Sequence, residues 1–164
     1  MRLDRDEWAL RLAEVTALRG TCLRRQVGCV LLDFDGKVLA TGYNGVASGM
    51  EHCNESVVRV PGLRRELLAD TPFACHGARL PTGTGLDLCE AVHAEQNALL
   101  QCANVRDIHA CYTTVSPCIH CAKLLMNTGC RHIVFREEYA HPSAKELWIR
   151  HMGDIGIWRL MNGT

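Results

Sequence analysis

The first regular pattern in the chain is a stripe of apolar residues at helical spacing. Trp8, Leu12 and Val15 recur three or four positions apart among charged neighbours. Asp4 precedes them and is a suitable N-cap residue. We therefore predict a helix over residues 5–18, with this stripe in the core.

The next two apolar segments have the length and composition of β-strands. Residues 27–32 form a continuous apolar run, and residues 38–43 follow after an Asp-Gly turn at 35–36. These two segments predict a β-hairpin.

Beyond residue 90 the pattern alternates between helical and strand-like segments. The predicted helices and strands, in chain order, are 91–102, 108–113, 117–127, 132–135, 143–151 and 155–160. A hairpin followed by alternating helices and strands predicts an α/β fold, a three-layer α/β/α sandwich with a mixed five-stranded sheet.

Between these two parts the periodicity breaks down. Residues 44–89 are interrupted repeatedly by glycine and proline, and also contain cysteines. A connection of this length inside one domain requires either a function or a cross-link. We predict a single domain over residues 1–164 with a long insertion at about 44–89.

Composition narrows the class of protein. Hydrophobic residues make up 48% of the chain and charged residues 22%, while 18 basic residues balance 18 acidic ones. This balance argues against a nucleic-acid partner. No signal-peptide core or membrane-length apolar run is present, and ten cysteines in such a chain indicate metal ligands or buried thiols in a reducing compartment. We therefore expect a cytoplasmic protein that does not enter membranes.

Two short segments carry the chemistry. His-Ala-Glu at 93–95 and Pro-Cys-Ile-His-Cys at 117–121 supply one imidazole and two thiolates. His93, Cys118 and Cys121 would fill three corners of a zinc tetrahedron and leave the fourth for water, as in catalytic zinc sites. Glu95 is then available as a proton carrier beside the metal.

The spacing of these residues suits helix starts. Pro117 is favourable at the first helical position after Ser116 as N-cap, and a helix N-terminus favours thiolates. Residues 93 and 95 cannot share one helical stripe, so both should lie at the start of their helix.

His-x-Glu followed by Pro-Cys-x-x-Cys is the signature of zinc-dependent nucleobase deaminases. Together with Thr-Cys-Leu-Arg-Arg-Gln-Val-Gly at 21–28 and Gly-Tyr-Asn-Gly at 42–45, it makes the chain resemble the deoxycytidylate deaminases of the cytidine deaminase-like superfamily. The resemblance implies the cytidine deaminase-like fold and zinc-dependent hydrolysis of dCMP to dUMP and ammonia.

The resemblance also implies roles for individual residues. Water would attack C4 of cytosine while Glu95 carries protons to N3 and to the leaving amine. Asn44 would face the sugar, Arg24 and Arg25 would contact the phosphate, and Tyr139 would line the pocket. Each arginine has the alternative of a solvated surface charge, and Tyr139 that of an ordinary aromatic at a strand end.

Regulation and assembly are further implications of the family. Many members are activated by dCTP with Mg²⁺ and inhibited by dTTP, and form homo-oligomers, often hexamers. The loop implicated in that control corresponds to Gly42, Tyr43, Asn44 and Gly45. The proline that usually follows this loop is absent, since residues 46–49 read Val-Ala-Ser-Gly.

A second metal is also implied, because some bacterial and phage members carry a structural zinc near matching positions. The predicted ligands are the four thiolates of Cys22, Cys53, Cys75 and Cys89, which would complete a tetrahedron. His76 is the alternative to Cys75. The alternative is that these are separate thiols in a mobile loop.

Three other functions share parts of this pattern. One is deamination of another cytidine nucleoside, modified cytidylate or cytidylyl metabolite. The second is an RNA or DNA editing deaminase, which the neutral net charge disfavours. The third is an inactive zinc-stabilised binding protein, which has no need of Glu95.

Overall fold

The computed structural model describes residues 2–54, 75, 77, 80, 81, 83–139 and 141–163. Much of the predicted insertion at 44–89, and with it His76, lies outside these residues. The α-helices of the described part are α1 (Arg5–Ala17), α2 (Ala94–Gln101), α3 (Ile119–Met126) and α4 (Ser143–Met152). Its strands are β1 (Gly28–Leu32), β2 (Val38–Tyr43), β3 (Ala110–Val115), β4 (His132–Glu137) and β5 (Ile157–Leu160).

The five strands form one mixed sheet in the order β2-β1-β3-β4-β5. Strand β1 is antiparallel to both β2 and β3, whereas β3, β4 and β5 are mutually parallel. Parallel neighbours need a crossover connection, which α3 and α4 provide. The predicted hairpin and the predicted mixed sheet are therefore both confirmed.

Helices cover both faces of the sheet. Leu10 and Ala13 of α1 belong to the buried cluster on one face. Ala98 of α2, Leu125 of α3 and Trp148 of α4 belong to the cluster on the other face. The three-layer α/β/α sandwich is thus confirmed. None of the described helices is both long enough and apolar enough to cross a membrane.

The first helix begins as predicted but presents a different face to the sheet. The Asp4 side chain accepts a hydrogen bond from a backbone N–H in the first turn, at 2.8 Å, and caps α1. The predicted core stripe is wrong, because Trp8 is 37% exposed and Val15 is 65% exposed. Leu10 and Ala13 are fully buried in its place.

The start of α3 also differs from the prediction. The helix begins at Ile119, and Cys118 is its N-cap, in an extended backbone conformation. Ser116 and Pro117 therefore precede the helix and are not its first residues. As a result Cys118 lies at the N-cap and Cys121 in the first turn.

Candidate active site

Two of the predicted site residues lie at the N-terminus of α2, as expected. His93 is the N-cap residue, and its backbone N–H donates to the side-chain oxygen of Gln96 at 3.0 Å. Glu95 lies in the first turn and is only 4% exposed. This capping arrangement fixes the direction in which the helix presents both side chains.

The imidazole of His93 meets two thiols from the start of α3. Its Nδ1 atom lies 3.4 Å from the Sγ atoms of both Cys118 and Cys121. Within the described residues, this is the one group of at least three His, Cys, Asp or Glu whose ligand atoms all lie within 4.8 Å of one another. Tetrahedral zinc with ordinary bond lengths places such N and S atoms about 3.6 Å apart. The donor set therefore fits zinc and leaves one coordination position for another ligand.

The two thiols differ in how readily they ionise. The hydrogen bond from the Cys121 thiol, assisted by that from His93, lowers the pKa of Cys118 to about 3 despite burial. The same contact with Cys118, together with burial, raises the pKa of Cys121. The pair thus readily provides one thiolate, which is the form that binds zinc.

Glu95 is a buried carboxyl group beside these ligands. Burial raises its pKa, and the nearby imidazole of His93 opposes this shift. A carboxyl group with a raised pKa binds a proton more readily, as a general acid–base group requires. The environment of Glu95 is therefore suited to general acid–base chemistry.

One cleft joins this centre to all the residues predicted to bind substrate. Its lining includes His93, Glu95 and Cys118, together with Arg24, Arg25, Asn44 and Tyr139. These residues come from separate parts of the chain. The structure therefore brings the predicted groups to one place, although their roles stay predictions.

The two adjacent arginines make different contacts. The guanidinium of Arg24 donates to the backbone carbonyl oxygens of Pro81 and Thr84. The guanidinium of Arg25 donates to the carboxylate of Glu137 at 2.8 Å. Arg24 thus fastens a turn, while Arg25 forms an ion pair at the cleft.

Asn44 holds the backbone beside the cleft through both ends of its amide. Its oxygen accepts from the N–H of Val27 at 2.8 Å, and its nitrogen donates to the carbonyl of Arg25 at 2.6 Å. The neighbouring Gly45 forms a two-hydrogen-bond bridge with Val92. Residues 42–45, which are the end of β2 and the two residues after it, are therefore tied both to the arginine segment and to the residue before His93.

Sequence reasoning did not assign several residues of the cleft lining. Val27 was interpreted only as a strand residue and Val115 lay outside every predicted element, and no signal in the pattern identified either as a wall of the cleft. Ser116 also lines the cleft, and its hydroxyl accepts from the backbone N–H of Tyr139 at 2.8 Å. Its position directly before Pro-Cys-x-x-Cys was the available signal.

The four other predicted metal ligands lie near one another. Cys53 and Cys75 are buried, whereas Cys22 and Cys89 line the cleft. Burial, followed by the thiols of Cys75, Cys22 and Cys89, raises the pKa of Cys53 to about 12. In the described part of the chain these thiols do not reach the mutual 4.8 Å spacing of the first site.

Comparison with known proteins identifies relatives over most of the chain. The family model for the cytidine and deoxycytidylate deaminase zinc-binding region matches residues 3–137. The deoxycytidylate deaminase of Mycobacterium phage D29 is 36% identical over 138 residues, which cover 84% of this chain and 98% of that protein. The deoxycytidylate deaminase of Schizosaccharomyces pombe is 33% identical over 136 residues, 82% of this chain but only 37% of the yeast protein.

A solved structure has the same fold along nearly the whole chain. The dCMP deaminase of cyanophage S-TIM5, solved in complex with dCMP and dUMP, matches with a TM-score of 0.67 and 23% identity. The match covers 98% of this chain and 99% of the phage chain. With the fold, the cluster of His93, Cys118 and Cys121 and the family match in agreement, the chain belongs to the cytidine and deoxycytidylate deaminase family.

Proposed function

We propose that the protein hydrolyses dCMP to dUMP and ammonia. The observation that carries this proposal is the convergence of His93, Cys118 and Cys121 with the buried Glu95 in one cleft. The phage D29 and S. pombe relatives are named deoxycytidylate deaminases, and the S-TIM5 enzyme was solved with dCMP and dUMP. These relatives support a cytidylate as the substrate.

In the proposed reaction, three side chains of the site bind zinc and a fourth, Glu95, transfers protons. Zinc, when held by His93, Cys118 and Cys121, acts as a Lewis acid and lowers the pKa of water. Glu95 takes a proton from the attacking water and delivers protons to N3 and to the departing amine. The C4–N bond breaks, a C4 carbonyl forms, and ammonia leaves.

The remaining cleft residues hold the nucleotide. In this proposal Arg25 meets the 5′-phosphate, because guanidinium groups pair well with phosphate oxygens. Arg24 supports the cleft through the turn that it fastens, and its charge adds to the attraction of the phosphate. Asn44 positions the sugar, and Tyr139 closes one side of the pocket.

Replacing Glu95 by glutamine tests the mechanism. Glutamine keeps the volume of the side chain but cannot carry the proton, so kcat should fall about 10²- to 10⁴-fold. Ammonia release measures turnover, elemental analysis measures zinc, and Glu138→Gln, an exposed carboxylate near the cleft, is the control. Unchanged turnover in a zinc-loaded Glu95→Gln protein would exclude this mechanism.

A substrate panel tests the choice of nucleotide. It should contain dCMP, CMP, dCTP, deoxycytidine, cytidine and 5-substituted dCMP, each at several concentrations. We expect the highest kcat/KM for dCMP. A clear preference for an unphosphorylated nucleoside would contradict the assignment of Arg25 and the nucleotide proposal together.

We further propose that Cys22, Cys53, Cys75 and Cys89 bind a second, structural zinc. The thiols of Cys75, Cys22 and Cys89 all raise the pKa of Cys53, which supports a shared cluster. Elemental analysis should find about two zinc ions per chain, and Cys53→Ser should lower this to about one. An unchanged zinc content in Cys53→Ser would remove the second site. His76, the alternative ligand, lies outside the described residues.

We also propose that the enzyme is cytoplasmic and forms a homo-oligomer, a hexamer by analogy with its family. A further proposal is that dCTP with Mg²⁺ regulates it by binding at residues 42–45. The Gly45–Val92 bridge supports a link between these residues and the metal ligand His93. Sedimentation measures the oligomer, and dCMP titrations with dCTP, Mg²⁺ or dTTP measure the control. Hyperbolic curves that these nucleotides leave unchanged would contradict the regulatory part.

A further inference from the structure

The ion pair between Arg25 and Glu137 connects the lining of the cleft to the end of strand β4. The guanidinium of Arg25 donates to the carboxylate of Glu137 at 2.8 Å, across 112 residues of sequence. Arg25 lines the cleft, whereas Glu137 ends strand β4. The side chains are 36% and 62% exposed, so the pair contributes little to folding stability.

Both partners are held in place by their own backbone contacts. The carbonyl of Glu137 accepts from the N–H of Ser116 at 2.8 Å, and Ser116 lies two residues before the metal ligand Cys118. On the other side, the carbonyl of Arg25 accepts from the Asn44 amide at 2.6 Å. The backbone of Glu137 is therefore tied to the segment that leads into Cys118, and the backbone of Arg25 is tied to Asn44.

Together these contacts form a closed ring around the cleft. It runs from His93 through the Val92–Gly45 bridge to Asn44 and Arg25, and then through Glu137 to the loop before Cys118. Two links of the ring join side chains only: the Arg25–Glu137 pair and the contact of His93 with Cys118 that closes the ring. Of these two, the Arg25–Glu137 pair can be removed by substitution without touching the predicted zinc ligands.

Arg24 and Arg25 differ in what they can offer a ligand. The Arg24 guanidinium is engaged with two backbone carbonyls of a turn. Glu137 takes one N–H of Arg25, and a guanidinium has five N–H donors in a planar fork. Because the Glu137 carboxylate binds one side of the planar Arg25 guanidinium, the remaining N–H donors are held in an orientation that can bind a phosphate.

We propose that Glu137 is a positioning residue, which holds the guanidinium of Arg25 at the rim of the cleft to receive the substrate phosphate. The inference rests on the proposed function, because it requires a nucleotide substrate. Glu137 touches no reacting atom. Glu137 orders the long, flexible side chain of Arg25 before substrate binds, so that less conformational entropy is lost on binding.

Kinetics of Glu137→Ala on dCMP and on deoxycytidine test the proposal. Immobilising one flexible side chain costs about 0.5–1.5 kcal/mol, so KM for dCMP should rise roughly two- to tenfold with kcat unchanged. For deoxycytidine, which lacks the phosphate, kcat/KM should stay at the wild-type value. Glu137→Gln keeps an acceptor for Arg25 and should restore most of the affinity. Glu138→Ala is the matched control, since this neighbouring carboxylate contacts Lys145 at 3.6 Å instead.

Three results would overturn the proposal. A lower KM for dCMP in both Glu137 variants would mean that Glu137 merely neutralises Arg25. Equal changes for dCMP and deoxycytidine would indicate a general structural role. If Glu137→Ala raises KM for dCMP by the same factor in the Arg25→Ala variant as in the wild type, the two residues act independently. If the wild-type protein fails to deaminate dCMP, the proposed function fails as well, whereas in the other cases it stands.

Discussion

Replacing Gly42 by alanine should displace α2, the helix whose N-terminus carries His93 and Glu95. A Cβ atom at Gly42 would lie 2.2 Å from the carbonyl oxygen of Ala94 and 2.4 Å from the backbone nitrogen of Ala98. Both are backbone atoms of α2, so no side chain can rotate to make room. Close-packed interiors do not absorb such an overlap, and the helix must withdraw by about 1 Å.

The displacement has two measurable consequences. Overpacking of this kind costs about 1–3 kcal/mol, which corresponds to a Tm lower by about 2–12 °C for a chain of this size. His93 and Glu95 lie at the N-terminus of α2. Because a misplacement of about 1 Å can cost roughly 100-fold in rate, we expect kcat to fall by about that factor.

Two matched variants separate the effect on activity from the effect on stability. A Cβ atom at Gly28 would lie 2.0 Å from the carbonyl oxygen of Ala13 in α1, on the opposite face of the sheet. Gly28→Ala should therefore lower Tm similarly, but α1 contributes no residue to the cleft and kcat should change little. At Gly45 the nearest atom would be 3.6 Å away, an ordinary contact, so Gly45→Ala should leave both quantities near wild type.

The assay is dCMP deamination at 20 °C, where all variants are folded, with Tm measured by circular dichroism. If Gly28→Ala and Gly42→Ala reduce kcat by the same factor, the loss reflects general destabilisation, and the argument from the position of α2 is refuted. Wild-type Tm and activity in Gly42→Ala would refute it as well.

Two other predictions concern stability. Burial and the neighbouring His109 lower the pKa of His132. The neutral imidazole therefore contributes fully to the free energy of unfolding above the unfolded-state pKa of about 6.5, and this contribution is lost as the pH falls through the lower native pKa. The Tm of the wild type should thus decrease more steeply than that of His132→Gln between about pH 7 and 5; parallel curves would contradict this. Leu125 is fully buried, so Leu125→Ala should cost about 2–5 kcal/mol in urea unfolding. Leu100 is 79% exposed, and Leu100→Ala should change stability by less than about 0.5 kcal/mol; comparable losses would show that Leu100 is covered, for example in an oligomer.

The case of α1 shows what periodicity could and could not predict. The pattern correctly predicted a helix from Asp4 onward, because capping and helical spacing are local properties. It did not identify the buried face, since both the Trp8–Val15 stripe and the Leu10–Ala13 stripe have helical spacing. The sheet selects the face with the small Ala13, which allows the helix to lie directly against the backbone of Gly28.

Residues 42–45 give a second example of what sequence could and could not predict. The family resemblance implied that these residues contact substrate or effector, and Asn44 lines the cleft. The need for glycine at position 42 has a different origin, the close approach of α2 to β2, which no local pattern reveals.

The sequence by itself determined the residue types of the predicted zinc site, their placement at two helix starts, and the alternation of elements that produces the sandwich. These follow from spacings of a few residues, which dictate local conformation directly. Only the tertiary structure decided that His93 faces the two thiols through its Nδ1 atom, that burial raises the pKa of Glu95, and that Arg25 pairs with Glu137. Such contacts join distant segments, and they depend on packing that leaves no periodic trace in the sequence.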